Sequence, residues 1–317
     1  MDPQDLALRA QRVREAVETA IMGKSETVEL AVSVLLSNGH LLIEDIPGVG
    51  KTTLAKALAR ALGLTFKRIQ FTPDLLPSDI TGSTVYNQKS GEFEIHHGPV
   101  FANIVLADEI NRTTPKTQAA LLECMEEGQV TIEGVGYPLP SPFFVIATQN
   151  NIELSGTYSL PEAQLDRFAA RISIGYPDRS AELQVLRNQR HSRPVDSIQA
   201  VAAANEIVEM QSAVRDVHVD ESVLTYILDL VQFTRELTSV SLGASPRGSL
   251  ALLYAGQARA AVQGRTYVRP DDIKALAPSI LAHRIIVRPE QRVRGVTPAS
   301  CVQDALQRVP VPVGAAA

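Results

Sequence analysis

The stretch "LLIEDIPGVGKTTL", residues 41–54, comes within one residue of a phosphate-binding loop. The pattern G-x-x-x-x-G-K-[ST] asks for glycines where the backbone must turn tightly, an ammonium for the outer phosphates and a hydroxyl for Mg²⁺. Gly50, Lys51 and Thr52 are in place, while Asp45 stands where the first glycine belongs. Read this way, the backbone of Pro47, Gly48, Val49, Gly50 and Lys51 aims N–H groups at phosphate oxygens, and the helix opening at Lys51, with Thr52 and Thr53 in its first turn, adds its positive end. An acid at the mouth of such a cradle is costly. A carboxylate about 4 Å from a phosphate loses on the order of 4 kcal/mol at an effective dielectric near 20, roughly a thousandfold in affinity. The Asp45 side chain is therefore expected to turn outward and cap a neighbouring backbone group.

A second cluster supports the first. In "NIVLADEINR" four apolar residues end in Asp108-Glu109. After a strand, that pair sets one carboxylate, Asp108, to share the hydrated Mg²⁺ with Thr52, and the next, Glu109, to polarise a water for in-line attack on a terminal phosphate. A protein that only bound nucleotide would have no use for Glu109.

These groups need elements to hold them. "HLLIED" is a short apolar run ending at a Pro-Gly turn, with a helix expected over residues 51–62, so the loop joins strand to helix. Residues 103–108 and 143–148 are continuous apolar runs rather than alternating ones, which predicts central parallel strands buried on both faces. Helical spacing precedes them over residues 6–21 and 25–36. Two turn-rich segments, residues 71–101 and 128–141, predict hairpins inserted into an α/β core. Beyond about residue 180 the pattern is helical. Asp220 is a candidate N-cap, Ser245-Pro246 and Pro270 open further helices, and the Pro- and Ala-rich end is expected to fray.

At 317 residues, one large domain with a smaller satellite is expected. A hydrophobic fraction of 45% and no apolar run of about 18 residues exclude a spanning helix from the expectation. The N-terminus, with early acids and no apolar h-region, does not read as a signal peptide, so the cytoplasm is the default location. A net charge of −5 argues against nonspecific coating of nucleic acid. Cys124 and Cys301 lie far apart and form no C-x-x-C unit, so they read as small buried hydrophobes. His96-His97 lacks a third ligand at metal spacing.

The loop, then "GPVFANIVLADEINR", "ALLECMEEGQVTIEG", "FFVIATQN", "GTYSLPEAQLDRF" and "GASPRGSLAL", in that order, resemble the MoxR family of AAA+ ATPases over residues 14–308. The resemblance implies an α/β fold: an AAA+ P-loop NTPase αβα core with a parallel sheet over residues 1–190, followed by a small all-helical lid over 191–317. It implies ATP and Mg²⁺ as ligands, and a homo-oligomer, most often a hexameric ring, with nucleotide at subunit boundaries. By matching position Asn150 resembles the polar sensor that orients the attacking water with Glu109. Arg167 resembles the arginine finger that reaches a neighbour's γ-phosphate, and Arg247 the second sensor arginine, its action on its own or the neighbouring nucleotide left open.

The hairpins match inserts shared with magnesium-chelatase ATPase subunits and MCM helicases. The family also suggests client proteins carrying a von Willebrand factor A domain and a chaperone role. Glu92, Phe93 and Glu94 are taken as one hairpin tip and Glu133, Gly134 and Val135 as the other, neither with a base, and Lys89 is the only base in the first hairpin, which disfavours threading nucleic acid. Arg284, Arg288, Arg292 and Arg294 read as a solvated or interface face. Asn151 departs from the family, where proline often follows the sensor asparagine. A nucleotide-gated scaffold without turnover and an MCM-like nucleic-acid motor stand as alternatives.

Overall fold

The computed structural model describes residues 1–150, 157–188 and 193–312. Among the described residues, nine strands occur in the first part of the chain: β1 (Leu41–Glu44), β2 (Phe66–Gln70), β3 (Gly82–Asn87), β4 (Glu92–His97), β5 (Ile104–Asp108), β6 (Gln129–Ile132), β7 (Val135–Pro138), β8 (Phe144–Gln149) and β9 (Ala170–Ile172). Five of them form one sheet in the order β2-β5-β8-β1-β9, every pair parallel. All residues of β5 and β8 are buried, which is why those runs are continuously apolar. β2 and β9 complete the sheet beside the strands expected from sequence. The register sets Gln70 beside Asp108 and Glu44 beside Gln149, so β1, β2, β5 and β8 end at a common level. Ligands of open parallel sheets bind in the crevice beyond such carboxyl ends.

Helix Lys51–Ala61 leaves β1 and buries Leu54, Ala55, Ala57, Leu58 and Ala61 against the sheet layer. β3 pairs with β4 and β6 with β7 as antiparallel hairpins outside the main sheet. The first hairpin turns at residues 88–91, where Gly91 takes φ 73°. Glu92, Phe93 and Glu94 therefore lie within β4, and Lys89 occupies the turn, so this tip does carry a base. The expectation of a base-free tip is corrected accordingly; the left-handed glycine, not the acidic run, locates the turn.

The C-terminal region is mainly helical, and the expectation of an all-helical lid is corrected by one short antiparallel strand pair, Val240–Leu242 with Ile286–Val287. Asp220 accepts from the Ser222 amide at 2.9 Å to open helix Glu221–Glu236, and Ser245 accepts from the Arg247 amide at 3.1 Å to open Pro246–Val262. Helices Pro270–Leu281 and Pro298–Arg308 follow, each with proline in its first turn. Helices Pro3–Glu18 and Ser25–Leu36 pack on each other and on Pro246–Val262, Pro3–Glu18 packs also on Lys51–Ala61, and one hydrophobic cluster runs through both regions. The proposed division at 190/191 falls outside the described residues, as do Asn151 and the last residues of the C-terminal tail. Among the described residues no helix is long and apolar enough to cross a membrane. Both cysteines are buried free thiols.

Candidate functional site

The loop after β1 turns through two glycines that only an achiral residue takes easily: Gly48 at φ 85° and Gly50 at φ 99°. Gly50 is the N-cap of helix Lys51–Ala61 and offers no side-chain cap, so the first-turn amides stay open to an anion. Val49 packs its side chain against the main core, which anchors the loop from behind. Beyond the strand ends lies a cavity of about 340 Å³. Pro47, Gly48, Gly50, Lys51, Thr52 and Thr53 line one wall, and Asp108, Glu109 and Asn150 the other.

Asp45 faces elsewhere. Its Oδ2 accepts from Ser173 Oγ at 2.9 Å and from the amides of Ile174 and Gly175 at 2.6 and 2.7 Å, while Oδ1 accepts from the Ile46 amide at 2.8 Å. The carboxylate thus ties the loop to the chain leaving β9. Partial burial works to raise its pKa, but the donors of Gly175, Ser173, Ile46 and Ile174 together outweigh burial and hold it below the ordinary carboxylate value. Lys51 Nζ donates to the Asp45 carbonyl at 2.6 Å and lies 3.4 Å from that of Gln149. Desolvation pushes the Lys51 pKa down, against the pull of Asp45, Asp108 and Glu109.

The acid pair sits in a hydrogen-bonded frame. Thr148 Oγ donates to Asp108 Oδ1 at 2.6 Å and accepts from the Glu109 amide at 2.9 Å, joining β5 to β8. Glu109 itself has φ 58° and ψ 49°, a left-handed conformation that costs a side-chain-bearing residue about 1–2 kcal/mol. β2 supplies partners absent from the sequence reading. Arg68 donates to Asp108 Oδ2 from Nη2 at 2.6 Å and from Nε at 3.0 Å, and Gln70 Nε2 donates to Glu109 Oε2 at 2.8 Å. Arg112 Nη1 reaches the same Glu109 oxygen at 3.1 Å. The signal was the alternation in "FKRIQ", where Phe66, Arg68 and Gln70 share one face of a strand and only Ile69 is fully buried.

Arg167 and Arg247 do not line this cavity. Both end on Glu126, at the close of helix Pro115–Glu127: Arg167 Nη2 lies 2.9 Å from Oε2, and Arg247 Nη2 bonds Oε1. They line a second cavity of about 420 Å³, with Arg215, Arg284, Tyr254 and residues 37–39. Residues 37–39 precede β1 and residues 47–53 follow it, so the two cavities stand at opposite ends of a four-residue strand, roughly 13 Å of chain. Arg284, read from sequence as part of a solvated face, is buried at 7% exposure and donates to Asp166 and to main-chain carbonyls; Arg288, Arg292 and Arg294 are exposed. The error has a physical cause, since a guanidinium can be buried where a fork of acceptors meets it, and those acceptors lie more than a hundred residues away.

Residues 40–170 match the family model described as "ATPase family associated with various cellular activities (AAA)", and residues 232–305 that of the AAA lid domain. Over 310 residues the chain is 50% identical to the protein YeaC of Bacillus subtilis, covering 98% of this chain and 97% of that one. It is 40% identical to Chaperone MoxR1 of Mycobacterium tuberculosis, covering 93% of this chain and 80% of the relative. A crystal structure from Cytophaga hutchinsonii, described as that of a candidate ATPase, superposes with a TM-score of 0.91 at 39% identity, covering 98% of this chain and 97% of the other. Relatedness at this level, along nearly the whole length and on the same fold, places the chain in the MoxR family of AAA+ ATPases.

Proposed function

We propose that this protein hydrolyses ATP with Mg²⁺ in sites shared between neighbouring subunits of a cytosolic ring, and applies the resulting motion to remodelling protein clients. Loop amides and Lys51 bind the triphosphate. The neighbouring cavity of about 330 Å³, which shares Thr52 and Thr53 and is walled by Thr19, Ala20, Met22 and Lys56, suits the base. Thr52 and Asp108 would hold the metal: Asp108 already draws the guanidinium of Arg68, so this oxygen set suits a cation. Magnesium bound there would supply neutralising charge to the β- and γ-phosphate oxygens. Glu109 takes a proton from water, the water oxygen bonds to the γ-phosphorus, and the bond to the bridging oxygen breaks, giving ADP and phosphate. Asn150, at the end of β8, orients that water.

One observation carries the shared-site reading. Arg167 and Arg247 gather at the end of the sheet away from their own loop, paired on a single glutamate. Two guanidiniums so placed suit a phosphoryl group presented by another subunit. The named function of Chaperone MoxR1 supports a chaperone role, and clients with a von Willebrand factor A domain follow from family resemblance. The test mixes two inactive variants. Glu109→Gln keeps its finger, Arg167→Ala keeps its base, and in random rings about one interface in four joins an intact base to an intact finger. Phosphate release should return on mixing. Demonstrated mixed rings with no recovery would end the shared-site reading.

A further inference from the structure

Between the two arginines lies a half-buried junction that the proposed mechanism does not use. Asp166 directly precedes Arg167. One of its carboxylate oxygens, Oδ1, accepts from Arg284 Nε at 2.8 Å, and the other, Oδ2, accepts from Ser245 Oγ at 2.8 Å. Ser245 is the N-cap of helix Pro246–Val262, and its Oγ also accepts from the amide of Arg247. The same Arg284 guanidinium donates to three carbonyls of the finger segment: Asp166 at 3.2 Å, Phe168 at 2.7 Å and Ala169 at 3.3 Å. It bonds as well to the Ile280 carbonyl in the preceding lid helix. Its stem packs on the lid, for a methyl added at Gly248 would come within 3.2 Å of Arg284 Cδ. A planar fork with five donors satisfies such a set of acceptors, whereas the ammonium of lysine cannot.

We propose that Arg284 is a positioning residue that, with Asp166 and Ser245, fuses the finger-bearing segment to the start of helix Pro246–Val262. Arg167 and Arg247 are then presented to the neighbouring nucleotide as one rigid unit, and whatever displaces the lid displaces the finger. The inference rests on the shared-site reading above. It assigns Arg284 no contact with nucleotide; the residue acts through where Arg167 and Arg247 stand. A misplacement of about 1 Å at a catalytic group costs on the order of a hundredfold in rate.

Arg284→Lys, Asp166→Asn and Ser245→Ala are each mixed with Glu109→Gln, a finger donor without a base, and separately with Arg167→Ala, a nucleotide host without a finger. Thermal unfolding and affinity for a fluorescent ATP analogue are measured on every variant alone. The inference expects analogue affinity to stay at the wild-type level, and turnover of Arg284→Lys alone to fall about a hundredfold. Activity should recover with Glu109→Gln as fully as Arg167→Ala recovers with that partner, and should not recover with Arg167→Ala. Equal recovery with both partners, or none with either in a folded variant, overturns it. Should Arg284→Lys fail to unfold cooperatively, the same asymmetry is read from Asp166→Asn and Ser245→Ala, and symmetry in those two overturns it. If the control pair of Glu109→Gln and Arg167→Ala does not recover, the shared-site reading fails, and this inference with it.

Discussion

Replacing Asp45 by asparagine separates two roles open to a carboxylate at this position. The structure gives it four donors: Ser173 Oγ and the amides of Ile174 and Gly175 on one oxygen, and the amide of Ile46 on the other. Asparagine offers a single acceptor oxygen, so its amide group must face either Ile46 N–H or the trio. Hydrogen bonds to a charged acceptor contribute about 1.5–3 kcal/mol each and neutral ones about 0.5–1.5. Discounted for a carboxylate that stays partly solvated, the loss comes to about 2 kcal/mol at pH 7.

The pH dependence has a definite sign. The folded pKa of Asp45 is depressed, so its contribution is complete above the unfolded value of about 4 and disappears as pH falls through the folded value. Denaturant titrations should show the two proteins about 2 kcal/mol apart at neutral pH and converging below about pH 4. Nucleotide affinity, measured in parallel, should hardly change. A rise of about a thousandfold would mean that the charge faces the phosphates after all. That result, or equal stability at pH 7, refutes the argument.

Arg68→Ala frees Asp108 from an ion pair whose guanidinium is half exposed, of the kind that contributes about 0.2–1 kcal/mol, so the Mg²⁺ concentration needed for half-maximal ATP-analogue binding should fall up to about fivefold in equilibrium titrations. No change in the magnesium requirement would remove Arg68 as a competitor for that oxygen. His40 is buried and neutral, its Nε2–H donating to the Met125 carbonyl at 3.1 Å and its Nδ1 accepting from the Val145 amide at 3.1 Å, and burial drives its pKa down to about 4. The unfolded chain takes up this proton below about pH 6.5 and the folded chain does not, so stability drops by about 3 kcal/mol between pH 6.5 and 4 on this account. His40→Gln should flatten that part of the stability profile, and an unchanged slope would assign the acid sensitivity elsewhere.

What was readable in the sequence is what local chemistry dictates. Gly50-Lys51-Thr52 and Asp108-Glu109 follow short apolar runs, and Asp220, Ser245 and Pro270 open helices by rules that span a few residues. The outward turn of Asp45 follows from Coulomb's law alone. β2 escaped because its solvent-facing residues dilute the apolar run, and with it went Arg68 and Gln70, the partners of the acid pair. The residues taken as the first hairpin's tip, 92–94, lie one to three positions past the turn that Gly91 closes. Arg284 and Glu126 take their meaning from residues far along the chain, and a charged residue read singly defaults to solvent.

The separation of the loop cavity from the Arg167–Arg247 face has a geometric consequence for assembly. A two-fold contact repeats one surface patch on both subunits, so it joins loop to arginines only if both lie within that one patch. In the proposed shared-site assembly, heterologous head-to-tail contact joins the unlike ends, and such contact leaves two unsatisfied termini until it closes. On the proposed shared-site plan, an open chain of subunits has one more nucleotide cradle than working sites, and closure would remove that deficit.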